Sequence, residues 1–265
     1  MKTKNLFIFS LCLAVICTAI RTATILYATE GTTGFFIARL SGLGIFLSIA
    51  VFLLTVTAFI FAFFADKKPS VNFKLNPLSG TLSIICGIIT LLYPILYKAP
   101  SLIGWQNNLT LFFAFLSGLW FALYGISAFI NIKIPPISCV VPMFYYLMRL
   151  VLVFTSFSSS ALVAEHVFSL SYRCALLVFM LMFLRICGGF TSKRTLKFFL
   201  PVSVTTFILT FVSVISRLIV HFSLGDAFIH GDIPVDYDGI ALCLFILPMT
   251  YNILKKESEE TENGF

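Results

Sequence analysis

The sequence has few charged residues for its length. Only 11% of its 265 residues are Asp, Glu, Lys or Arg, whereas about a quarter are charged in a typical soluble domain. Hydrophobic residues make up 59% of the chain, and the mean hydropathy is +1.03. A soluble core has no room for that much apolar surface, so the composition excludes a soluble globular domain and predicts a membrane protein.

The sequence also lacks the short motifs that mark common enzyme and cofactor sites. H-E-x-x-H, the P-loop, the dinucleotide fingerprint and G-x-S-x-G are all absent. The three histidines, His166, His221 and His230, follow no metal-ligand spacing. We therefore expect no catalytic residues, no metal and no cofactor, and we interpret the chain as a protein that is not an enzyme.

Paired cysteines are missing as well. Seven cysteines are present, but none is spaced as C-x-x-C, and none lies in a segment predicted to face the outside. Six fall within apolar runs, and Cys139 lies at the predicted inner end of one. The pattern therefore indicates no disulfide framework.

Long apolar runs are what the sequence has instead. Each is about 15 to 24 residues long, and a helix of about 20 residues crosses a bilayer. The predicted fold is an all-α, polytopic transmembrane bundle of about eight spans, forming one membrane domain over residues 1–254, followed by a disordered cytoplasmic tail at 255–265. The predicted spans are residues 5–28, 43–65, 78–97, 109–130, 140–160, 170–190, 201–221 and 240–254. The last run is short and contains Pro248, so it either crosses at a tilt or enters the membrane without crossing it.

The basic residues predict the orientation of these spans. With the amino terminus in the cytoplasm, eleven lysines and arginines fall in inner segments, and only Arg39 and Lys98 fall in outer ones. This positive-inside bias places both termini in the cytoplasm. It also accounts for the net charge of +7, so we expect the lipid bilayer as a partner and no nucleic acid.

The seventh run carries one polar stripe along an otherwise apolar helix. Its members recur every three or four residues: Ser203, Thr206, Thr210, Ser213, Arg217 and His221. An arginine facing lipid costs from about 2.5 to above 10 kcal/mol, so Arg217 should face protein or a wet cavity. The fifth run places Tyr145, Tyr146 and Arg149 on one face in the same way.

Two interpretations of the arginines stay open. In the structural one, each arginine pairs with Glu30, Glu165 or an acid of residues 226–238 and fixes how the helices pack. Its predicted ion-pair residues are Arg21, Glu30, Glu165 and Arg173. In the functional one, an outward cavity presents guanidinium donors to an anionic or zwitterionic solute. Its predicted substrate-binding residues are Arg149, Arg217, Tyr145, Tyr146, Thr210 and Ser213.

Several short stretches resemble a bacterial membrane protein family. Residues 149–160, Glu165, residues 216–220, and Arg21 followed by residues 30–35 are similar to stretches of uncharacterised multi-pass membrane proteins of clostridial-type bacteria. The resemblance implies a bacterial plasma membrane and no activity.

The sequence therefore favours a small-solute transporter or solute-binding membrane protein. The alternative is a scaffold or regulatory subunit that transports nothing and whose buried arginines are structural. An intramembrane enzyme ranks third.

Overall fold

The computed structural model describes eight stretches of the chain. They are residues 3–30, 35–65, 75–96, 104–130, 134–156, 164–189, 192–224 and 236–255. Each contains one long helix: α1 (Thr3–Ala23), α2 (Ser41–Phe63), α3 (Pro77–Leu96), α4 (Gly104–Ile130), α5 (Val140–Ser156), α6 (Ala164–Cys187), α7 (Lys193–Leu224) and α8 (Tyr237–Lys255). These stretches contain no strand beyond a single isolated bridge, and the all-α prediction is confirmed.

Six helical segments are long and apolar enough to cross a bilayer. They are Asn5–Ala28, Ala38–Phe63, Trp105–Ile130, Pro136–Thr155, His166–Cys187 and Arg194–Ser223. Two further apolar helices within the described stretches are shorter, at Pro77–Tyr93 and Tyr237–Ile253. The fold is thus that of an apolar helical bundle suited to a membrane, and a count of eight crossings stays a prediction.

The first and last helices place the two ends of the helical chain side by side. Phe7, near the start of α1, packs edge-on against Tyr251, near the end of α8, with ring centroids 5.5 Å apart. Ser79, at the start of α3, donates a hydrogen bond to the carbonyl of Pro248. We call this end of the bundle the terminal end and the opposite end, where α1, α3, α5 and α7 finish, the distal end.

Helix α7 is the most enclosed of the six candidate spans. In its apolar segment 72% of the residues are buried, against 22% in that of α2. Helices α1, α2, α6 and α8 all pack against α7. Helix α2 exposes a row of large apolar side chains: Leu43, Phe46, Ile49, Leu53, Val56 and Ile60. An apolar exterior of this kind fits contact with lipid.

Small residues let α3 and α4 approach closely. A Cβ atom added at Gly87 would lie 2.7 Å from the carbonyl oxygen of Gly118, and one at Gly125 would lie 2.4 Å from that of Gly80. Both distances are shorter than real Cβ contacts, so only glycine fits there. Ser83 adds a hydrogen bond from its hydroxyl to the carbonyl of Phe121, at 2.8 Å.

The carboxyl-terminal part contains the last helix and two predicted segments outside the described stretches. Helix α8 is continuous through Pro248, and whether it crosses a membrane at a tilt or enters without crossing stays a prediction. The predicted tail beyond Lys255 and the acidic segment 225–235, which contains His230, lie outside the described stretches.

Candidate functional site

Arg149 of α5 lies at the centre of a buried polar site in the distal half of the bundle. One of its terminal nitrogens lies 2.5 Å from Asp236 Oδ1 and 3.5 Å from Asp238 Oδ1. Its other terminal nitrogen donates to the hydroxyl of Tyr93 on α3. Because Arg149 precedes the last residue of α5 by seven positions, and a helix rises about 1.5 Å per residue, its backbone is about 10 Å from the distal end of α5.

Arg173 of α6 approaches the same carboxylate from another side. Its guanidinium lies 2.5 Å from Asp236 Oδ2 and also donates to Ser169 Oγ, one helical turn earlier. The hydroxyl of Tyr172 donates to Asp236 Oδ2 as well. Asp236 therefore joins two guanidinium groups that belong to different helices.

Both aspartates lie at the start of α8. Asp236 precedes the helix, and its carbonyl accepts a hydrogen bond from the backbone N–H of Gly239. Asp238 lies in the first helical turn, where a negative charge is favoured by the helix dipole, and it accepts a hydrogen bond from the Tyr145 hydroxyl at 2.8 Å. Asp236 therefore holds the position before the helix, and Asp238, inside the first turn, binds Tyr145.

We call this group the charge cluster. Its members are Arg149, Arg173, Asp236 and Asp238, with Tyr93, Tyr145, Tyr172 and Ser169 bound to them. The four charged side chains are 3 to 6% exposed, and their formal charges sum to zero. Burying an ion costs several kcal/mol, which close pairing with hydrogen bonds offsets. Separating these charges therefore leaves buried ions without compensation and costs free energy.

Tyr146 lies beside the charge cluster. Its ring packs against that of Tyr145, with centroids 4.8 Å apart, and its side chain is 1% exposed. Its hydroxyl makes no hydrogen bond to any residue in the described stretches. A buried polar atom without a partner costs about 1 to 3 kcal/mol, which marks this side of the cluster as a place for a further polar group.

The other predicted arginines also lie in the distal half. Arg217 is buried, and it is close enough to Arg173 for their positive charges to repel each other. Arg21 is buried, with its guanidinium 4.2 Å from the ring centroid of Phe168. The bundle thus brings Arg149, Arg173 and Arg217 into one region.

The polar stripe of α7 is packed against protein. The side chains of Ser203, Thr206, Thr210 and Ser213 are all buried. Ser203 and Thr210 donate to carbonyls one turn earlier in α7, at 2.7 Å each. Thr206 donates to the carbonyl of Ala175 on α6, at 3.1 Å. Of the two predicted solute-binding hydroxyls on α7, that of Thr210 is thus bonded to a main-chain carbonyl, and that of Ser213 is buried.

Two of the arginines pair with acids of the 226–238 region: Arg149 with Asp236 and Asp238, and Arg173 with Asp236. The side chain of Glu165 is not among those described. Glu30 is exposed, and its pairing with Arg21 stays a prediction. The structure adds two residues that the sequence did not indicate, Tyr93 and Tyr172, both buried and bound to charged groups.

No metal-binding constellation occurs among the described residues, which include no group of three or more His, Cys, Asp and Glu side chains placed to hold an ion. His166 is buried and His221 is half-buried. Comparisons of the chain with protein-family models, with curated proteins and with solved structures found no match. The site's own geometry is therefore the basis for any proposal about function.

Proposed function

We propose that this chain is an eight-span protein of a bacterial plasma membrane, with both termini in the cytoplasm, that binds or transports a small anionic or zwitterionic solute. In this proposal the charge cluster closes the outer side of the bundle. The observation that carries the proposal is the pairing of Arg149 and Arg173 with Asp236 at nine-tenths burial or more. Ionisable groups inside a membrane are rare, and they typically line solute or ion pathways.

The contacts of the charge cluster suit a gate because most of them join different helices. Arg149 is on α5, Arg173 on α6 and Tyr93 on α3, while both aspartates are at the start of α8. A movement of the start of α8 away from α5 and α6 therefore breaks the ion pairs together. It also exposes guanidinium donors that bind carboxylates well.

Proline gives α8 a place at which such a movement can occur. Pro248 has no N–H group, so the helix lacks one backbone hydrogen bond in the turn before it. The segment of α8 on the distal side of Pro248 carries Asp238, and the segment on the terminal side carries Tyr251. Bending at Pro248 moves the aspartates and leaves the packing of Tyr251 on Phe7 in place.

The second candidate function is a scaffold or regulatory subunit with a permanently closed bundle. The packing of the α7 stripe favours it, because Ser203, Thr206 and Thr210 already have hydrogen-bond acceptors in the protein. In this alternative the charge cluster fixes the arrangement of the helices and never opens.

Water access to α7 separates the two candidates. Single cysteines replace Ser213, near the charge cluster, or Ser203, about 15 Å nearer the terminal end, in a protein that lacks the seven native cysteines. Intact cells receive a membrane-impermeant thiol reagent, with or without the further change Asp236→Asn. For a gate, Asp236→Asn raises the labelling of Ser213→Cys, and Ser203→Cys stays protected.

One result contradicts the gate, and another contradicts the proposed orientation. Equal labelling of Ser213→Cys with and without Asp236→Asn, in folded protein, leaves the scaffold as the remaining candidate. Labelling from the inner face alone, measured in inverted membrane vesicles, reverses the proposed orientation.

A further inference from the structure

We infer that Asp236 occupies a binding position for the carboxylate of a small solute, and that the solute takes this position when the cluster opens. The inference rests on the proposed function and names the chemical class of its solute. Asp236 therefore competes with the solute for the same hydrogen-bond donors, because its own carboxylate occupies them until the cluster opens.

The donors around Asp236 form a complete carboxylate site. Arg149 binds Oδ1, while Arg173 and Tyr172 bind Oδ2. Two guanidinium groups and a phenol hydroxyl, distributed over both oxygens, recognise the planar shape of a carboxylate as well as its charge. A chloride ion is a single acceptor atom, so it cannot occupy both oxygen positions of this site.

The donors and the acceptor belong to different parts of the fold. Arg149, Arg173 and Tyr172 are on α5 and α6, whereas Asp236 precedes α8. The carboxylate can therefore leave without disturbing the helices that carry the donors.

Charge balance at the Asp236 position favours a ligand with a single negative charge. When the Asp236 carboxylate alone is absent, as in an Asp236→Ala variant, Arg149 retains Asp238 at 3.5 Å, but Arg173 loses the one carboxylate that it contacts among the described residues. A bound monocarboxylate restores neutrality, whereas a dianion leaves an excess negative charge in a buried site. The Tyr146 hydroxyl, which has no hydrogen-bond partner in the described stretches, adds a polar contact for the rest of the solute.

Chemical rescue tests the inference directly. Asp236→Ala removes the carboxylate and keeps Cβ, so the space left has the shape of formate. The protein, purified in detergent, is heated with increasing sodium formate or with sodium chloride at the same ionic strength. We expect a saturable rise in Tm with formate of about 3 to 6 °C at ten times its Kd, and no comparable rise with chloride.

Four matched proteins complete the experiment. In the wild type, Asp236 fills the site, and in Asp236→Asn the amide fills it, so formate should shift neither Tm. The double variant Arg173→Met/Asp236→Ala lacks one of the donors, so its Kd for formate should be at least tenfold higher than that of Asp236→Ala. Asp236→Gly removes Cβ as well, so acetate should stabilise this variant more than formate does.

The inference can also be tested if the variants fold poorly. If Asp236→Ala and Asp236→Gly are unfolded in buffer, formate and acetate are added during extraction, and recovery of folded protein should increase. Absence of a carboxylate effect on both Tm and recovery, in both variants, overturns the inference.

The result is separate from that of the proposed gate. Rescue by formate without extra labelling of Ser213→Cys retains the carboxylate site and rejects the gate. Extra labelling without rescue retains the gate and rejects a carboxylate as its solute.

Discussion

The strongest quantitative prediction concerns the energetic coupling of Arg173 with Asp236. The charges of a contacting guanidinium and carboxylate are centred about 4 Å apart, and at an effective dielectric constant of about 20 they attract each other by about 4 kcal/mol. Removing one partner of a buried pair costs about 3 to 5 kcal/mol, because the other charge stays buried without compensation. The pair is 2.5 Å apart, so it should fall in this range.

The two single changes should differ in a way that the geometry specifies. Arg173→Met leaves Asp236 bound to Arg149 and Tyr172, so its cost should lie near 3 kcal/mol. Asp236→Asn affects both arginines, and its cost should lie near 5 kcal/mol. In the double variant the loss should fall short of the sum by about 2 to 3 kcal/mol, because no unpaired Arg173 charge remains.

Unfolding of the purified protein in mixed micelles with increasing dodecyl sulfate measures these free energies. Fluorescence of Trp120 reports the transition, since its buried indole N–H donates to Ser138 Oγ at 2.8 Å. Arg185→Met, an exposed arginine later in α6, is the matched control and should change stability by no more than about 0.5 kcal/mol. Additive effects of the two cluster changes, or a cost of Arg173→Met equal to that of the control, would refute the coupling.

The same unfolding assay checks two predictions about helix packing. Gly87→Ala places a methyl group against backbone atoms of α4 and should lower stability by about 1 to 3 kcal/mol. The control Gly42→Ala has no atom within 4 Å of the added carbon and should be close to neutral. Equal effects of the two changes would contradict the close approach of α3 and α4. Thr206→Val removes a hydrogen bond to Ala175 on another helix and should lower stability by about 0.6 to 1.7 kcal/mol. Thr210→Val removes a hydrogen bond within α7 and should lower stability by less. A larger loss of stability for Thr210→Val would be inconsistent with these contacts.

The helices were predictable from the sequence because each apolar run is itself a local signal. Their ends were less predictable, since helical turns continue into polar residues that an apolar run excludes. Helix α7 begins at Lys193, eight residues before the predicted start of its span, and α4 begins at Gly104 rather than at residue 109.

The site was predictable only in part. The cost of burying a guanidinium marked Arg149 and Arg173, and the acids of residues 226–238 were among their predicted partners. The choice of Asp236 was not predictable, because it lies 87 residues from Arg149 and no local pattern encodes that contact. Tyr93 and Tyr172 could not be distinguished from other apolar-run tyrosines until the helices were placed together.

The order of the charge cluster along the chain has a consequence for biosynthesis. The ribosome makes the two arginines on α5 and α6 before the two aspartates of α8, so the nascent bundle holds positive charges whose partners do not yet exist. Only when α8 enters beside them does the buried charge become neutral. A chain that stops before α8 therefore lacks the carboxylates that pair with Arg149 and Arg173, and we expect it to be less stable than the full chain.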